Sequence, residues 1–232
     1  LSLVGSEMCI RDRCSALVQR GLRNQTIQDV RPLKPKGRNM VGPAFTLRYM
    51  PAREDRNPMN VFRNPKHPQR LAIETCPEGC VLVMDSRKDA RAASAGDILI
   101  TRLMMRGGAG VVTDGGFRDA ASIGDLDIPA YHNRPSSPTN LTLHEAIDID
   151  VPIGCGDVPV FPGDIVVGDD DSVIIIPAEI ADEIADEAVE MTAYEDFVTE
   201  RVRQGHTIIG LYPATDEANL ALFADWRAKA GR

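Results

Sequence analysis

The sequence contains no run of roughly 18 or more apolar residues, which excludes a membrane-spanning helix on length alone. It also lacks a glycine-rich nucleotide loop. Gly107-Gly108-Ala109-Gly110 comes before a strand candidate, whereas a dinucleotide loop must follow a strand and open a helix, so a nicotinamide or methyl-donor cofactor is not expected. No C-x-x-C pair occurs: Cys76 and Cys80 stand four apart, with no second pair or His cluster to complete a zinc site, and read as structural. Cys14 and Cys155 are scattered through a chain with no visible export signal, which points to reduced thiols in the cytoplasm. Basic residues are in deficit, 26 Lys and Arg against 34 Asp and Glu for a net charge of -8, which argues against a nucleic-acid partner. Internal repeats and low-complexity tracts are absent as well.

What is there is enough for one substantial core: 232 residues, 43% of them apolar, predict one compact domain with an appendage. The first thirteen residues, LSLVGSEMCIRDR, show neither a capping signal nor a helical or strand period. They resemble the in-frame translation of a sequencing adapter, so residues 1–13, with Cys9, are expected not to be native and are set aside from the fold.

Residues 15–22 (SALVQRGL) read as the last turns of a helix, which Gly21 or Gly37 would allow the chain to leave. Gly42 to Tyr49 is a strand candidate, and the Pro-, Arg- and Asn-rich stretch from Pro51 to Pro68 reads as a long loop. His67-Pro68 opens a short helix ending near Gly79, and CVLVMD is a continuous apolar run of the kind buried on both faces of a sheet. A helical pattern follows from Ala95, with Ile98, Leu99, Leu103 and Met104 expected on one face and Gly107-Gly108 as its stop, then a buried strand from Ala109 to Thr113. This alternation predicts an α/β layer. Beyond Pro135 the runs Ile147–Ile153, Val158–Phe161, Ile165–Val167 and Val173–Ile176 are β-rich. Asp169-Asp170-Asp171-Ser172 reads as a solvated hairpin turn, because it lacks the spaced ligands of a calcium loop. Helices are expected from Pro177 to about Gln204 and from about Thr215 to Lys229.

One spacing carries chemistry. Gly96-Asp97 opens a helix, and Arg118-Asp119 follows the glycine turn after the next buried strand, so the two loops can meet at one edge of a sheet. Backbone N–H groups around Ile98 and Leu99, at a helix N-terminus, are donors for a carboxylate. Asp119 offers a hard oxygen ligand suited to magnesium or manganese, held with waters and a chelating substrate. Arg118 can hydrogen-bond the oxygen of an enolate left by aldol cleavage or decarboxylation of a 2-oxo acid, and Asp97 can hold the water that moves a proton. Taken alone, an Arg-Asp pair after a glycine turn is more often a surface ion pair or a helix cap. His132 and His144 are more often packed or solvated than catalytic, and Arg48 and Arg134 are candidates for reading a second carboxylate.

Asp97, twenty intervening residues and then Arg118-Asp119 is a spacing that resembles the signature of the RraA-like proteins and the 4-hydroxy-4-methyl-2-oxoglutarate (4-carboxy-4-hydroxy-2-oxoadipate) aldolases. GAGVVTDGGFRD, VPIGCGDVPVFPGDIVVGDDDSVIIIP and RGLRNQTIQDVRPLKPKGRNMVGPAFTLRY look like segments of that family, and the resemblance covers essentially residues 15–212. It implies a swivelling β/β/α fold, an α-β-β-α sandwich, with a catalytic domain over 14–212 and a helical extension over 213–232. It further implies a homotrimer or hexamer with the site at a subunit interface, pyruvate lying against the backbone of Gly96, Asp97, Ile98 and Leu99, and an acid from a neighbour's C-terminal helix, for which Glu195 is the candidate. The activity implied is that of a metal-dependent class II pyruvate aldolase or oxaloacetate decarboxylase acting on a small 2-oxo acid. The RraA name carries a second implication, a non-catalytic inhibitor of an RNA-degrading endonuclease. One departure stands out: aldolases of the group carry Glu or Asp three residues after the metal-binding Asp, and this chain has Ser122.

Overall fold

The computed structural model describes residues 10–35 and 38–230. In chain order the elements are α1 (Ile10–Gln19), β1 (Arg31–Pro32), β2 (Met40–Pro51), α2 (Pro68–Thr75), β3 (Val81–Asp85), β4 (Ala93–Ala95), α3 (Asp97–Met105), β5 (Gly110–Thr113), β6 (Gly116–Phe117), α4 (Ala120–Gly124), β7 (Ala130–His132), β8 (Arg134–Pro135), β9 (His144–Ile149), β10 (Ile153–Cys155), β11 (Val158–Val160), β12 (Ile165–Gly168), β13 (Val173–Ile176), α5 (Ala181–Arg203) and α6 (Glu217–Ala230). Short 3-10 turns cover Met59–Arg63, Asn140–Thr142 and Ala178–Ile180.

The main sheet runs β1-β7-β5-β3-β2-β12-β13, with β9 also pairing β2. Its centre, β2-β3-β5-β7, is parallel, and its flanks are antiparallel. The twelve-residue β2 joins two layers: Met40–Pro43 pairs with β12, Ala44–Arg48 with β3 and Leu47–Pro51 with β9, through a bulge at Arg48/Tyr49. Bending on this strand brings the sheet close to a closed barrel.

Side-chain alternation along the strands, which has a period of two, sorts the core into three seams. Leu82 and Met84 of β3 face α2 and α3, meeting Ile73, Ile100 and Leu103. Val81 and Val83 face the other way, onto Val158 and Val160 of the β10–β11 hairpin and Val166 and Ile175 of β12 and β13. The alternate residues of those strands, Ile165, Val167, Ile174 and Ile176, face outward onto Leu17 of α1 and Ile184 of α5. Three seams between four layers make the α-β-β-α sandwich, with the continuous apolar runs of β3 and β5 buried on both faces. Each such fully buried Leu or Ile contributes roughly 1.5–3 kcal/mol by leaving water.

Helix ends follow local chemistry. Pro68 stands at the first position of α2, where its missing N–H costs nothing, and the helix stops at Cys76 before Pro77. α3 begins after an extended Gly96, carries Asp97 in its positive first turn, and is closed by the left-handed Gly107. The 165–176 segment is the expected hairpin, whose turn is closed by Asp169 Oδ1 accepting from the N–H groups of Asp171 (2.8 Å) and Ser172 (3.2 Å).

Two expectations are corrected here. Ile98 is not on the buried face of α3: it is 79% exposed, and Ile100 and Leu103 carry the packing, because at 3.6 residues per turn Ile98 stands about 140° round the helix from Leu103. The first helix extends back to Ile10, so Ile10–Arg13 belong to a packed element, with Ile10 and Asp12 buried. Residues 1–9 and Gly37 lie outside the described residues. No helix among the described residues is long and apolar enough to cross a membrane.

Candidate active site

A three-stranded parallel sheet of very short strands, β4-β6-β8, builds the site. Ala93 of β4 pairs with Gly116 of β6 and Ala95 with Phe117, while Arg134 and Pro135 of β8 pair with the same two residues from the other side. Arg118 N–H then donates to Ala95 O at 2.9 Å. The chain leaves β4 into Gly96-Asp97 and leaves β6 into Arg118-Asp119, so two loops that are twenty residues apart emerge side by side. Beneath them Ser86, Ser94 and Thr113 form a buried hydroxyl cluster, with Ser94 Oγ 2.6 Å from both neighbours' oxygens, and Thr113 Oγ1 accepts from Gly115 N–H at 2.9 Å. Gly115 is required by this crowding: a Cβ there would lie 2.7 Å from Ser86 Cβ.

The paired loops open into a cavity of ≈ 280 Å³ lined by Gly96, Asp97, Ile98, Leu99, Arg118 and Asp119, with Phe62, Gln69, Arg70, Thr139 and Asn140 on the remaining walls. Every residue expected at the site from the Asp97 to Asp119 spacing lines this one cavity. Asp97 Oδ1 accepts from Ile98 N–H at 2.7 Å, and Leu99 N–H is turned back to Gly96 O at 3.1 Å. The donors at the start of α3 are therefore occupied by the protein's own groups, which an incoming carboxylate would displace. Asp119 sits in the left-handed region (φ 54°, ψ 37°), which Asp tolerates better than most residues, and begins α4 without capping it. Its carboxylate lies over Gly96, where an added Cβ would be 3.2 Å from Asp119 Oδ2. Arg118 and Asp119 are both exposed, and neither side chain has a hydrogen bond or ion pair to another described residue. A strained backbone carrying an unpartnered carboxylate beside an unpartnered guanidinium is the form a ligand site takes.

The donor set fits a hard cation held mainly by waters and substrate. Asp97 and Asp119 are the carboxylates on the cavity, and no cluster of three or more His, Cys, Asp or Glu occurs among the described residues, so a closed zinc-type cage does not fit. Ser122 is exposed on the first turn of α4.

Other residues considered from the sequence lie elsewhere. Arg48 pairs with Asp148 across β2 and β9, and Arg134 reaches Ala90 O at 3.5 Å; neither lines the cavity. His132 is buried and stacked on Phe117, with burial pushing it down to about 4, and His144 is buried edge-on to Tyr49, also pushed down by burial. Glu195, on α5, is held by Arg11 and by Tyr212 Oη, which donates at 2.8 Å. It does not line the cavity of its own chain. A second cavity of ≈ 350 Å³, between β1, α4 and β7, has Lys34, Arg38, Asp127 and Asp170 on its walls. Arg38 and Asp127 are already paired there at 3.1 Å.

What the sequence did not reveal is the far wall. Gln69 and Arg70 come from α2 and Asn140 from the turn before β9, and no spacing links them to Asp97 or Arg118. Gln69 and Asn140 are buried, and Gln69 Nε2 donates to Ser94 O and to Asn140 Oδ1 (3.3 Å).

Comparison with known proteins adds the following. A model of the family described as RraA-like, aldolase/RraA, matches residues 10–175. A Halalkalibacterium halodurans protein, named provisionally as a 4-hydroxy-4-methyl-2-oxoglutarate aldolase, is 37% identical over 99 residues, 43% of this chain and 47% of that protein. Protein DlpA of Legionella pneumophila is 25% identical over 179 residues, 77% of this chain and 28% of its own length. The chain thus matches less than half the length of either curated relative. The crystal structure of Streptomyces coelicolor RraAS2, described as an unusual member of the RNase ES inhibitor RraA protein family, superposes with a TM-score of 0.73 at 30% identity, covering 84% of this chain and 92% of that one.

Proposed function

The chain belongs to the RraA-like family, and from that premise we propose that it is a divalent-cation-dependent carbon–carbon lyase that cleaves 4-hydroxy-2-oxo acids to pyruvate and decarboxylates oxaloacetate. The observation that carries this reading is the β4–β6 pairing, which sets Asp97, Arg118 and Asp119 around one cavity at the start of α3.

In this reading the carboxylate of the pyruvate half takes the Ile98 N–H in place of Asp97 Oδ1, gaining the partial positive charge of the helix end. The displaced Asp97 carboxylate then holds a water near the reacting carbons. Cleavage removes the proton of the C4 hydroxyl, breaks the C3–C4 bond and leaves the electron pair in the C2–C3 enolate, which gains a proton at C3 to become pyruvate. Arg118 donates hydrogen bonds to the enolate oxygen, where charge develops. Asp119 would hold magnesium or manganese, which supplies Lewis-acid stabilisation of the same charge. Loss of carbon dioxide from oxaloacetate leaves the same enolate, so one arrangement serves both reactions.

The assembly is proposed as a homotrimer or hexamer in the cytoplasm, with residues 14–212 as the catalytic domain and 213–232 as a helical extension. Glu195 of a neighbouring subunit would complete the cavity on releasing Arg11. The test uses purified protein with manganese and oxaloacetate: pyruvate release is expected, with Asp119→Ala and a chelator each abolishing it. Release that survives both changes sinks the assignment.

The similarity to RraAS2 at 30% identity favours a second reading, a non-catalytic inhibitor of an RNA-degrading endonuclease. Capture of such a nuclease by the Arg118→Ala variant, together with no turnover by the unaltered protein, would select it.

A further inference from the structure

The cavity holds a second arginine that the proposed chemistry at Asp97, Arg118 and Asp119 leaves unused. Arg70 is half-buried on α2, with its guanidinium carbon 3.6 Å from the centre of the Phe62 ring. Burial pushes its basicity down, and no carboxylate offsets this: among the described residues Arg70 has no ion pair, whereas arginines on the outer surface such as Arg102 and Arg20 take glutamates. Its protein acceptor is the neutral Gln69 Oε1, which receives a bond from Nη1. The other donors of a five-donor fork have no acceptor among the described residues, and they stand on a cavity large enough for a small acid.

The position is built rather than incidental. Gln69, which orients Arg70, is itself fixed by Ser94 O, and Ser94 O also accepts from Tyr49 Oη at 2.8 Å. The next residue, Ala95, accepts from the Arg118 N–H. Two adjacent residues of β4, Ser94 and Ala95, therefore anchor both arginine-bearing segments, fixing Arg70 relative to Arg118. An aromatic face beneath a guanidinium and a neutral amide beside it hold the group without neutralising it. That combination leaves a planar fork whose match is a carboxylate.

We propose that Arg70, positioned by Gln69 and Phe62, binds a carboxylate on the fragment of the substrate that does not become pyruvate, making the enzyme selective for dicarboxylic 2-oxo acids over neutral-ended ones. The proposal rests on the lyase reading for which end of the substrate reacts; the anion site itself does not need turnover to be tested.

Binding is measured first, by calorimetry with manganese present, using 2-oxoglutarate and its neutral-ended counterpart 2-oxopentanoate as unreactive probes. The unaltered protein is expected to prefer 2-oxoglutarate by roughly 10- to 100-fold, the range of a charged hydrogen bond. Arg70→Met should erase the preference, and Arg70→Lys should restore part of it. A thermal melt identifies a variant that has merely unfolded, in which case the lysine variant and the unaltered protein decide the matter. Kinetics follow, comparing 4-hydroxy-2-oxoglutarate with 4-hydroxy-2-oxopentanoate. The ratio of the two kcat/KM values should fall by a similar factor in Arg70→Met, with most of the change in KM for the dicarboxylate. Equal binding of the two probes by the unaltered protein, or a preference that persists in Arg70→Met, overturns the proposal. A preference that vanishes with Arg70 while neither substrate yields pyruvate leaves the anion site standing and removes the lyase reading.

Discussion

The cavity and the seam between α1 and α5 treat charge in opposite ways. Along the seam, Arg20 grips Glu187 with two bonds of 2.6 Å each, the buried Asp12 accepts from Thr192 Oγ1 at 2.7 Å, and Glu195 is shared by Arg11 and Tyr212. In the cavity, Arg118, Asp119 and Arg70 lack such partners among the described residues, and Asp119 sits on a left-handed backbone. Matched charges fix one element against another. Unmatched charges on a rigid scaffold keep their hydrogen-bonding capacity open to a ligand.

The largest contrast comes from removing one arginine from each region. Arg118→Ala is expected to lower pyruvate release by roughly a hundred- to a thousandfold, the usual loss for one donor at a developing oxyanion, with the thermal midpoint nearly unchanged. Arg20→Ala is expected to do the reverse, leaving turnover intact and lowering the midpoint slightly, less so at high salt. Equal effects of the two variants on turnover would erase the distinction.

Gly96→Ala gives a smaller effect inside the cavity. Its backbone is ordinary extended chain, so the change is steric: the new methyl would stand 3.2 Å from Asp119 Oδ2 and 3.5 Å from Arg118 Cβ. Displacing the pair by a fraction of an ångström should lower kcat by roughly tenfold without a matching loss of stability. Unaltered kinetics would show that the close approach of the two loops is not what sets their geometry.

The smallest expected effect lies in the pH dependence of stability. Burial opposes the charge of His132 and pushes its pKa from the ordinary 6.5 down to about 4 in the folded chain. As pH falls through this window the unfolded chain takes up the proton first, so stability that is full above 6.5 is lost on the way down to 4. His67 and His144 lean the same way. Asp114 opposes them: burial raises it from 3.8 to about 6, so its contribution is greatest at low pH and falls as pH rises across that interval. His132→Phe keeps a ring against Phe117 and should flatten the fall in thermal midpoint between pH 6.5 and 4. An unchanged slope would place the acid sensitivity on the other groups.

Legibility from sequence followed contact range. CVLVMD and AGVVT were readable as β3 and β5 because burial on both faces leaves an unbroken apolar run, and the Asp169–Ser172 turn was readable because three successive acids interrupt two such runs. Strands β4, β6 and β8 were not, since two or three residues carry no period. Pairing of β4 with β6 is nonetheless what joins Asp97 to Arg118. Arg48 and Arg134, considered for a second carboxylate, proved to have other partners, while Arg70 went unnoticed because its meaning depends on Phe62, Gln69 and Ser94 gathered from three separate segments.

The sequence by itself determined the α/β character, the helix that opens at Asp97 and the chemistry available to a carboxylate, a guanidinium and a helix N-terminus, because these are properties of single residues and of short-range period. Only the tertiary structure decided which charges would be matched and which left facing a shared cavity. That choice is made by long-range backbone pairing and by burial, neither of which is encoded at any one position.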